Sequence, residues 1–185
     1  MTLSNIGMLL HPTISLLNAS AIDYGKDFKF YTEGATPRTC EILEFIQNEI
    51  NKIFKILGLK DFRFCNWVNK SYGVQKKCIY DAIQTIKAYE NITAPKHLIT
   101  RYFTEDVPTG LVPVSSLAKF LDIKTPIIDS VINLSSLLCG IDFRKEGRTI
   151  IGLDLEEFIN KRIKTEELIN LRTKQEIPTN SIWME

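Results

Sequence analysis

The chain has 185 residues, of which 44% are hydrophobic and 24% are charged. This length and apolar content suit one globular core of ordinary size. Because 23 Lys and Arg nearly balance 22 Asp and Glu, the chain lacks the basic field that attracts nucleic acid and the polybasic patch that binds anionic lipid. We therefore expect no nucleic acid and no membrane among its partners.

Cysteine spacing and the apolar N-terminus bear on the compartment. The four cysteines form no Cys-x-x-Cys pair and there are only two histidines, so neither a structural zinc site nor a disulfide framework is indicated. Residues 1–20 look superficially like a secretory signal, but they lack a basic n-region, and His11-Pro12 interrupts the apolar run. No segment reaches the ~20 apolar residues that span a bilayer. We expect a cytoplasmic protein with reduced thiols and no metal.

An apolar segment opens the chain. Pro12 is expected at or near a helix start, which suits its fixed backbone angle, and His11 beside it would then be buried too. The apolar residues of this segment are Met8, Leu9, Leu10, Ile14, Leu16 and Leu17. Further on, residues 28–31 and 62–64 alternate weakly, which favours at most a minor two-stranded ribbon.

The clearest helix begins at Thr36 and Pro37, a hydroxyl cap followed by a first-turn proline, and it ends before Gly58. The apolar stripe of this helix comprises Ile42, Phe45, Ile46, Ile50, Ile53, Phe54 and Leu57. A second helix is predicted over residues 75–89, with a stripe formed by Ile79, Tyr80, Ile83 and Ile86.

The second half of the chain repeats these signals. After the polar stretch 101–108, a turn over residues 109–113 is expected to restart a helix that carries Leu117 and Leu121. Thr125 and Pro126 then open a helix that is apolar on more than one face, so we expect it to be central and to end at Gly140. A last amphipathic helix is predicted from Asp154, and it carries Leu155, Phe158, Ile159, Ile163 and Leu168.

These elements predict an all-α chain, with a single helical domain of roughly six helices over residues 1–172 and a tail over 173–185. No Gly-x-Gly-x-x-Gly or Gly-x-x-x-x-Gly-Lys motif occurs, and no alternation of strands with helices would hold such a loop. We therefore expect that an N-terminal Rossmann domain is absent from this chain.

Polar residues from two distant parts of the sequence supply the candidate chemistry. His11 can donate or accept a proton at neutral pH, and a carboxylate from Asp106 or Glu105 on its second ring nitrogen would fix the tautomer and stabilise imidazolium. Arg101 carries a planar guanidinium that can bind a carboxylate through two hydrogen bonds, so it is a candidate anchor for an organic acid. The combination suits oxidation or reduction at a carbon beside a carboxylate.

Each of these residues also has a purely structural interpretation. A histidine in an apolar run is more often a core residue bonded to a backbone carbonyl. Arg101 and Asp106 could form an exposed ion pair in a turn, which is worth about 0 to 1 kcal/mol. Glu33 or Thr36 could simply cap the helix that begins at Pro37. The residue types alone leave both interpretations open.

Three groups of motifs follow one another in a fixed order. The first comprises Asn5, His11-Pro12, Leu16-Leu17-Asn18-Ala19 and Phe30-Tyr31-Thr32-Glu33-Gly34-Ala35-Thr36-Pro37. The second comprises Arg101-Tyr102-Phe103-Thr104-Glu105-Asp106-Val107-Pro108 and Gly110-Leu111-Val112-Pro113. The third is Glu146-Gly147-Arg148-Thr149. In this order the motifs resemble the α-helical C-terminal domain of the octopine/nopaline, or opine, dehydrogenases, roughly over residues 3–160.

The resemblance implies a fold like the C-terminal domain of phosphogluconate dehydrogenase. It also implies an NAD(P)H-dependent condensation of an amino acid with a 2-oxo acid such as pyruvate. His11 would be the catalytic acid and base with Asp106 as its partner, while Arg101 would bind the carboxylate of the oxo acid. Further candidates are Glu105 and Thr36 for substrate and Asn5 for cofactor.

NAD or NADP would be held mainly by a Rossmann domain or subunit, so the chain alone is expected to be inactive. The expected partners are that domain, the two small substrates and, as an open option, a second copy of the chain. The rival hypothesis is a helical binding or dimerisation module that keeps the fold without the chemistry.

Overall fold

A computed structural model describes residues 5–150 of the chain, and this part is mainly helical. Its α-helices are α1 (Ile6–Leu17), α2 (Ala19–Asp23), α3 (Pro37–Ile56), α4 (Phe64–Tyr72), α5 (Ile79–Thr85), α6 (Arg101–Thr104), α7 (Val112–Phe120), α8 (Pro126–Cys139) and α9 (Phe143–Glu146). A 3₁₀ turn, Lys87–Tyr89, follows α5, and a π-helical turn, Val107–Leu111, precedes α7. Residues 5–150 contain no strand, so the predicted all-α class is confirmed there. None of these helices has both the length and the apolar character to cross a membrane.

The first helix, α1, lies at the centre of the packing. Asn5 caps it by accepting a hydrogen bond from the backbone N–H of Gly7 at 2.8 Å, and the helix packs against α3, α6, α8 and the π-helical turn. Its buried apolar residues are Met8, Leu9, Leu10 and Ile14. The expected place of Pro12 near the helix start is wrong, because the Asn5 cap begins the helix earlier and leaves Pro12 inside it. His11 is half-buried there, and not fully buried as expected.

The helix predicted from the cap and proline signal is confirmed as α3. The side-chain oxygen of Thr36 accepts the backbone N–H of Thr39 at 3.2 Å, and Pro37 occupies the first helical position. The helix predicted over 75–89 is shorter than expected. It begins at Ile79, because Cys78 is still extended, and the 3₁₀ turn takes over after an extended Ile86.

The ribbon predicted between residues 28–31 and 62–64 is wrong. Within residues 5–150 the one isolated β-bridge joins Lys29 to Thr93 instead. The side-chain amide of Asn51 on α3 binds the backbone of Phe62 instead. Its oxygen accepts a hydrogen bond from the N–H of Phe62 at 2.7 Å, and its nitrogen donates to the C=O of Phe62 at 3.0 Å. The weak alternation therefore reflects aromatic side chains buried against helices.

Helix α8 has the predicted limits, with Gly140 as its left-handed C-cap. Its expected central position is correct for one face only. Ile128 and Ile132 are fully buried, but Leu137 on the other face is 80% exposed. The helix predicted from Asp154 and the tail over 173–185 lie outside the described residues.

Candidate active site

The fold brings together a histidine and a carboxylate that lie 95 residues apart in the chain. Nδ1 of His11 on α1 lies 2.8 Å from Oδ2 of Asp106, which precedes the π-helical turn. Their side chains keep 22% and 13% of their surface exposed, so the pair is accessible from outside. The carboxylate of Asp106 can accept a hydrogen bond from Nδ1–H, which leaves Nε2 as the ring nitrogen that can exchange a proton.

The π-helical turn sets the position of Asp106. Pro108 and Pro113 lack the N–H that a continuous α-helix requires, and a wider turn is a common solution at functional sites. Val107 and Leu111 are fully buried and anchor this turn in the core. A Cβ at Gly110 would overlap the Cβ of Met8, so glycine here allows the turn to approach α1 closely.

A second glycine makes room for the carboxylate itself. A Cβ at Gly7 would lie 2.7 Å from Oδ1 of Asp106 and 3.2 Å from Nδ1 of His11. Real Cβ atoms essentially never lie as close as 2.7 Å to another heavy atom. A larger residue at position 7 would therefore displace the carboxylate of Asp106. Gly7 is thus part of the site, although the sequence reasoning assigned it no role.

The other ring nitrogen of His11 has a partner that the sequence reasoning missed. Nε2 lies 2.7 Å from the hydroxyl of Tyr31. The ring of Tyr102 stacks on the imidazole with centroids 4.3 Å apart and planes inclined by 24°. Tyr31 stands in the motif at residues 30–37, but no local pattern distinguishes it, because its role is a contact with another segment.

Tyr31 is held in a packed aromatic environment. Its side chain is 5% exposed, it stacks on Tyr89 at 4.0 Å, and it meets Phe30 edge-on at 5.0 Å. Burial raises the pKa of Tyr31 far above its ordinary value, and Tyr89, Tyr102 and Asp106 raise it further. The phenol is therefore neutral at physiological pH and can either donate or accept a hydrogen bond.

Arg101 and Glu105 form a separate, exposed pair. The guanidinium Nε of Arg101 donates to Oε2 of Glu105 at 2.6 Å, one turn further along the chain. This bond, more than any other interaction, holds the pKa of Glu105 below its usual range. The two adjacent acids therefore face different partners: of the two carboxylates considered for His11, Asp106 makes the contact and Glu105 does not.

The remaining two candidates are seen in capping contacts. Thr36 is exposed and caps α3, and Asn5 is exposed and caps α1. The cap formed by Thr36 is the structural role that the sequence suggested as an alternative to substrate binding. Contact of Thr36 with substrate and of Asn5 with cofactor stays a prediction.

The sequence as a whole resembles known dehydrogenases. Residues 1–139 match the family model described as NAD/NADP octopine/nopaline dehydrogenase, alpha-helical domain. The chain is 43% identical over 154 residues to opine dehydrogenase of Arthrobacter sp. (strain 1C). It is 29% identical over 154 residues to vitopine synthase of Allorhizobium ampelinum (strain ATCC BAA-846 / DSM 112012 / S4). The two alignments cover 83% and 82% of this chain but 43% and 42% of the relatives, so the chain spans less than half of their length.

Solved structures show the same fold. Octopine dehydrogenase with NADH and L-arginine aligns with a TM-score of 0.63 at 23% identity, over 72% of this chain and 39% of that one. The same enzyme with NADH and pyruvate aligns with a TM-score of 0.59, over 72% of this chain and 37% of that one. The helical architecture is therefore shared at low identity. The match over residues 1–139 shows that the chain belongs to the octopine/nopaline dehydrogenase family and contains the α-helical domain of that family.

Proposed function

We propose that this chain is the substrate-binding and proton-transferring domain of an NAD(P)H-dependent opine dehydrogenase. Such an enzyme joins the amine of an amino acid to a 2-oxo acid such as pyruvate. The observation that carries the proposal is the 2.8 Å contact of His11 with Asp106 on a partly exposed surface. A core histidine bonded to a backbone carbonyl would have neither this partner nor this access.

The pair has a definite task in such a reaction. Amine and oxo acid condense to an imine with loss of water, and reduction adds hydride to the imine carbon and a proton to its nitrogen. His11 as imidazolium supplies the proton from Nε2, and the Asp106 carboxylate stabilises the cation through Nδ1. In the reverse direction the neutral imidazole takes the proton back at the same atom.

The residues described do not fit a complete dinucleotide. A pyrophosphate site of the Rossmann type needs a strand, a glycine-rich turn and a helix, and residues 5–150 contain no strand. NAD or NADP would therefore be held by another domain or subunit that faces the exposed side of His11. From this chain, Asn5 is the residue proposed to contact the reactive end of the cofactor.

Arg101 is the proposed anchor for the oxo acid. Its side chain is 84% exposed. It lies on α6, five residues before Asp106 in the sequence. A substrate carboxylate would bind the guanidinium through two parallel hydrogen bonds, in competition with Glu105. Glu105, released from this pair, would then be available to the substrate amine. Thr36 remains a candidate for a further hydrogen bond to substrate.

The alternative function is a non-catalytic helical binding or dimerisation module. The observation that favours it is the apolar outer face of α8, where Leu134, Leu137 and Leu138 are exposed. Such a face is typical of a contact surface. It says nothing against a catalytic role for His11, so the two functions must be separated by an assay.

The test is NADH oxidation in the presence of pyruvate and a panel of amino acids, with the chain joined to the dinucleotide-binding domain of an opine dehydrogenase. His11→Ala should lower kcat by about 100-fold or more, in the range of general acid and base catalysis. Asp106→Asn should lower it as well, because the cation loses its counter-charge.

The matched control for Asp106→Asn is Asp61→Asn. Asp61 is an exposed carboxylate paired with Arg63 at 3.4 Å, so its loss should leave the rate unchanged. Full activity of both site variants would overturn the proposed pair. If the unmodified chain, joined to the dinucleotide-binding domain, binds NADH but turns over no amino acid, the result would favour the non-catalytic binding or dimerisation module.

A further inference from the structure

The imidazole of His11 is held at both nitrogens by this chain. Nδ1 lies 2.8 Å from Oδ2 of Asp106, and Nε2 lies 2.7 Å from the hydroxyl of Tyr31. Nε2 is the atom from which the proposed proton transfer starts, so its partner is placed to influence that transfer. A carboxylate on Nδ1 alone would fix the tautomer but would leave the exchanging nitrogen to solvent.

The hydroxyl of Tyr31 suits both protonation states of the imidazole. With Asp106 on Nδ1–H, neutral His11 presents a lone pair at Nε2, and the phenol donates to it. Protonated His11 presents Nε2–H, and the phenol oxygen accepts it. The second bond has a charged donor and is about twice as strong as a neutral one, so the contact favours imidazolium.

The packing keeps this hydroxyl in place. The Tyr31 ring is fixed by the stacked ring of Tyr89 and by the edge of Phe30, and the His11 ring is covered by Tyr102. An ordinary buried tyrosine would need only one hydrogen-bond acceptor, and a backbone carbonyl usually supplies it. Here the hydroxyl is directed instead at the one histidine that pairs with a carboxylate in residues 5–150.

We propose that Tyr31 is a positioning residue for His11, whose hydroxyl orients Nε2 and stabilises the imidazolium before proton transfer. This inference deepens the proposed function and rests on it for its catalytic meaning. The contact itself can be tested without any turnover.

The other charged or titratable groups around His11 come from few segments. Asp106 and Glu105 lie between α6 and the π-helical turn, and Tyr102 lies on α6. Helices α3 and α8 also pack on α1, but their carboxylates are engaged elsewhere. On α3, Glu41 binds Arg38, Glu44 accepts the backbone N–H of Ile79, and Glu49 binds the backbone at the start of α8, while Asp129 of α8 binds Arg144. The comparison of variants therefore keeps all of these groups constant and removes only the hydroxyl of Tyr31.

The first experiment is an NMR titration of the histidine side chains in the 185-residue chain. In the unmodified chain the neutral His11 should carry its proton on Nδ1. In Tyr31→Phe the titration midpoint of His11 should move to lower pH, because the cation loses its charge-assisted bond. His97, the second histidine, is exposed and serves as the internal reference.

The matched variant is Tyr89→Phe, which removes a hydroxyl from the same stack of rings but leaves both partners of His11 in place. It should leave the midpoint of His11 unchanged. A neutral His11 with its proton on Nε2 in the unmodified chain would overturn the proposal without any variant. Equal midpoints in Tyr31→Phe and the unmodified chain would also overturn it.

The second experiment is the pH dependence of kcat/KM in the chain joined to a dinucleotide-binding domain. For reductive condensation the rate should fall as pH rises through the titration of His11. In Tyr31→Phe this limb should lie at lower pH, and the rate at neutral pH should drop about tenfold, as expected for a bond to a charged group. A merely structural role would lower stability without moving the limb.

The two experiments separate the two proposals. If the unmodified chain joined to a dinucleotide-binding domain shows no turnover but the titration of His11 shifts in Tyr31→Phe, the proposed function fails and the contact stands. If turnover is present and Tyr31→Phe matches the unmodified chain in rate and titration, the positioning role fails and the function stands.

Discussion

Gly7 determines how closely the carboxylate of Asp106 can approach α1. An added Cβ at this position would lie 2.7 Å from Oδ1 of Asp106, and that carboxylate is already bound to His11. Gly7→Ala should therefore lower kcat/KM by about tenfold through loss of the charge-assisted bond on Nδ1. The melting temperature of the variant, measured in parallel, shows whether the crowding also destabilises the fold. Full activity would show that the carboxylate has room to move.

Arg101 should affect substrate binding and not folding. Its pair with Glu105 is exposed, and such pairs contribute about 0 to 1 kcal/mol to stability. Arg101→Gln is therefore expected to raise KM for pyruvate while the melting temperature stays the same. Arg38→Gln is the control, since Arg38 forms an equally exposed pair with Glu41 on α3. An unchanged KM in Arg101→Gln would remove Arg101 from the substrate site.

The sequence predicted His11 and Asp106 as a pair, but it did not indicate the residues that surround them. His11 and Asp106 were identified together because the motifs that contain them occur in a recognisable order. Tyr31 and Gly7 were missed because each acts through a distance to a residue far along the chain. A tyrosine in a weakly alternating segment and a glycine near a helix start are common in helical proteins. Only the packing of α1 against the π-helical turn and the segment at residue 31 brings these two residues next to His11 and Asp106.

Helices α3 and α8 are joined by a buried carboxylate. Glu49 is 4% exposed, and its two oxygens accept the backbone N–H groups of Ile127 and Ile128 at 2.9 and 3.0 Å. These are among the donors that a helix leaves without partners in its first turn. Thr125 makes no side-chain cap bond there, so Glu49 supplies the cap from another helix.

Glu49→Ala should destabilise the fold by about 2 to 4 kcal/mol, because two buried N–H groups lose their acceptor. Urea unfolding measures the change. Glu41→Ala, an exposed residue of the same helix, should cost less than about 1 kcal/mol. Equal costs for the two variants would show that the cap contributes nothing.

The same residue gives stability a pH dependence. Burial raises the pKa of Glu49 above its unfolded value of 4.5, although the two backbone bonds oppose the shift. The folded state therefore binds this proton more tightly than the unfolded state does. This contribution to stability is complete below the unfolded pKa of 4.5 and is lost as pH rises through the raised pKa. Glu49→Gln should abolish that part of the pH dependence in urea titrations, and an unchanged profile would assign it to other groups.

Helix signals in the sequence were reliable where a cap and a proline coincide. Thr36-Pro37 and Thr125-Pro126 located α3 and α8 correctly. Residues 101–108 looked like a polar turn, yet they form α6 and the start of the π-helical turn, because Phe103 and Val107 are buried while Arg101 and Glu105 face outward. Short helices set by such contacts have no periodicity long enough to detect, so the prediction of roughly six helices did not include several of them.

In the proposed enzyme, a second domain faces the exposed side of His11. The chain spans 43% of the opine dehydrogenase relative, and clefts between domains are common binding sites. In the proposed enzyme the dinucleotide-binding domain closes over this side. The chain alone should then bind no NADH by fluorescence titration and catalyse no turnover, and both should appear when that domain is joined to it.

Closure should also protect His11 from chemical modification. Diethyl pyrocarbonate acylates accessible imidazole nitrogens, and mass spectrometry can follow the two histidines of this chain separately. With the dinucleotide-binding domain, NADH and pyruvate present, the modification rate of His11 should fall several-fold relative to the chain alone. The rate at exposed His97 should not change, because His97 lies outside the proposed site. Equal protection of both histidines would indicate general shielding, and no protection of either would place the second domain elsewhere on the surface.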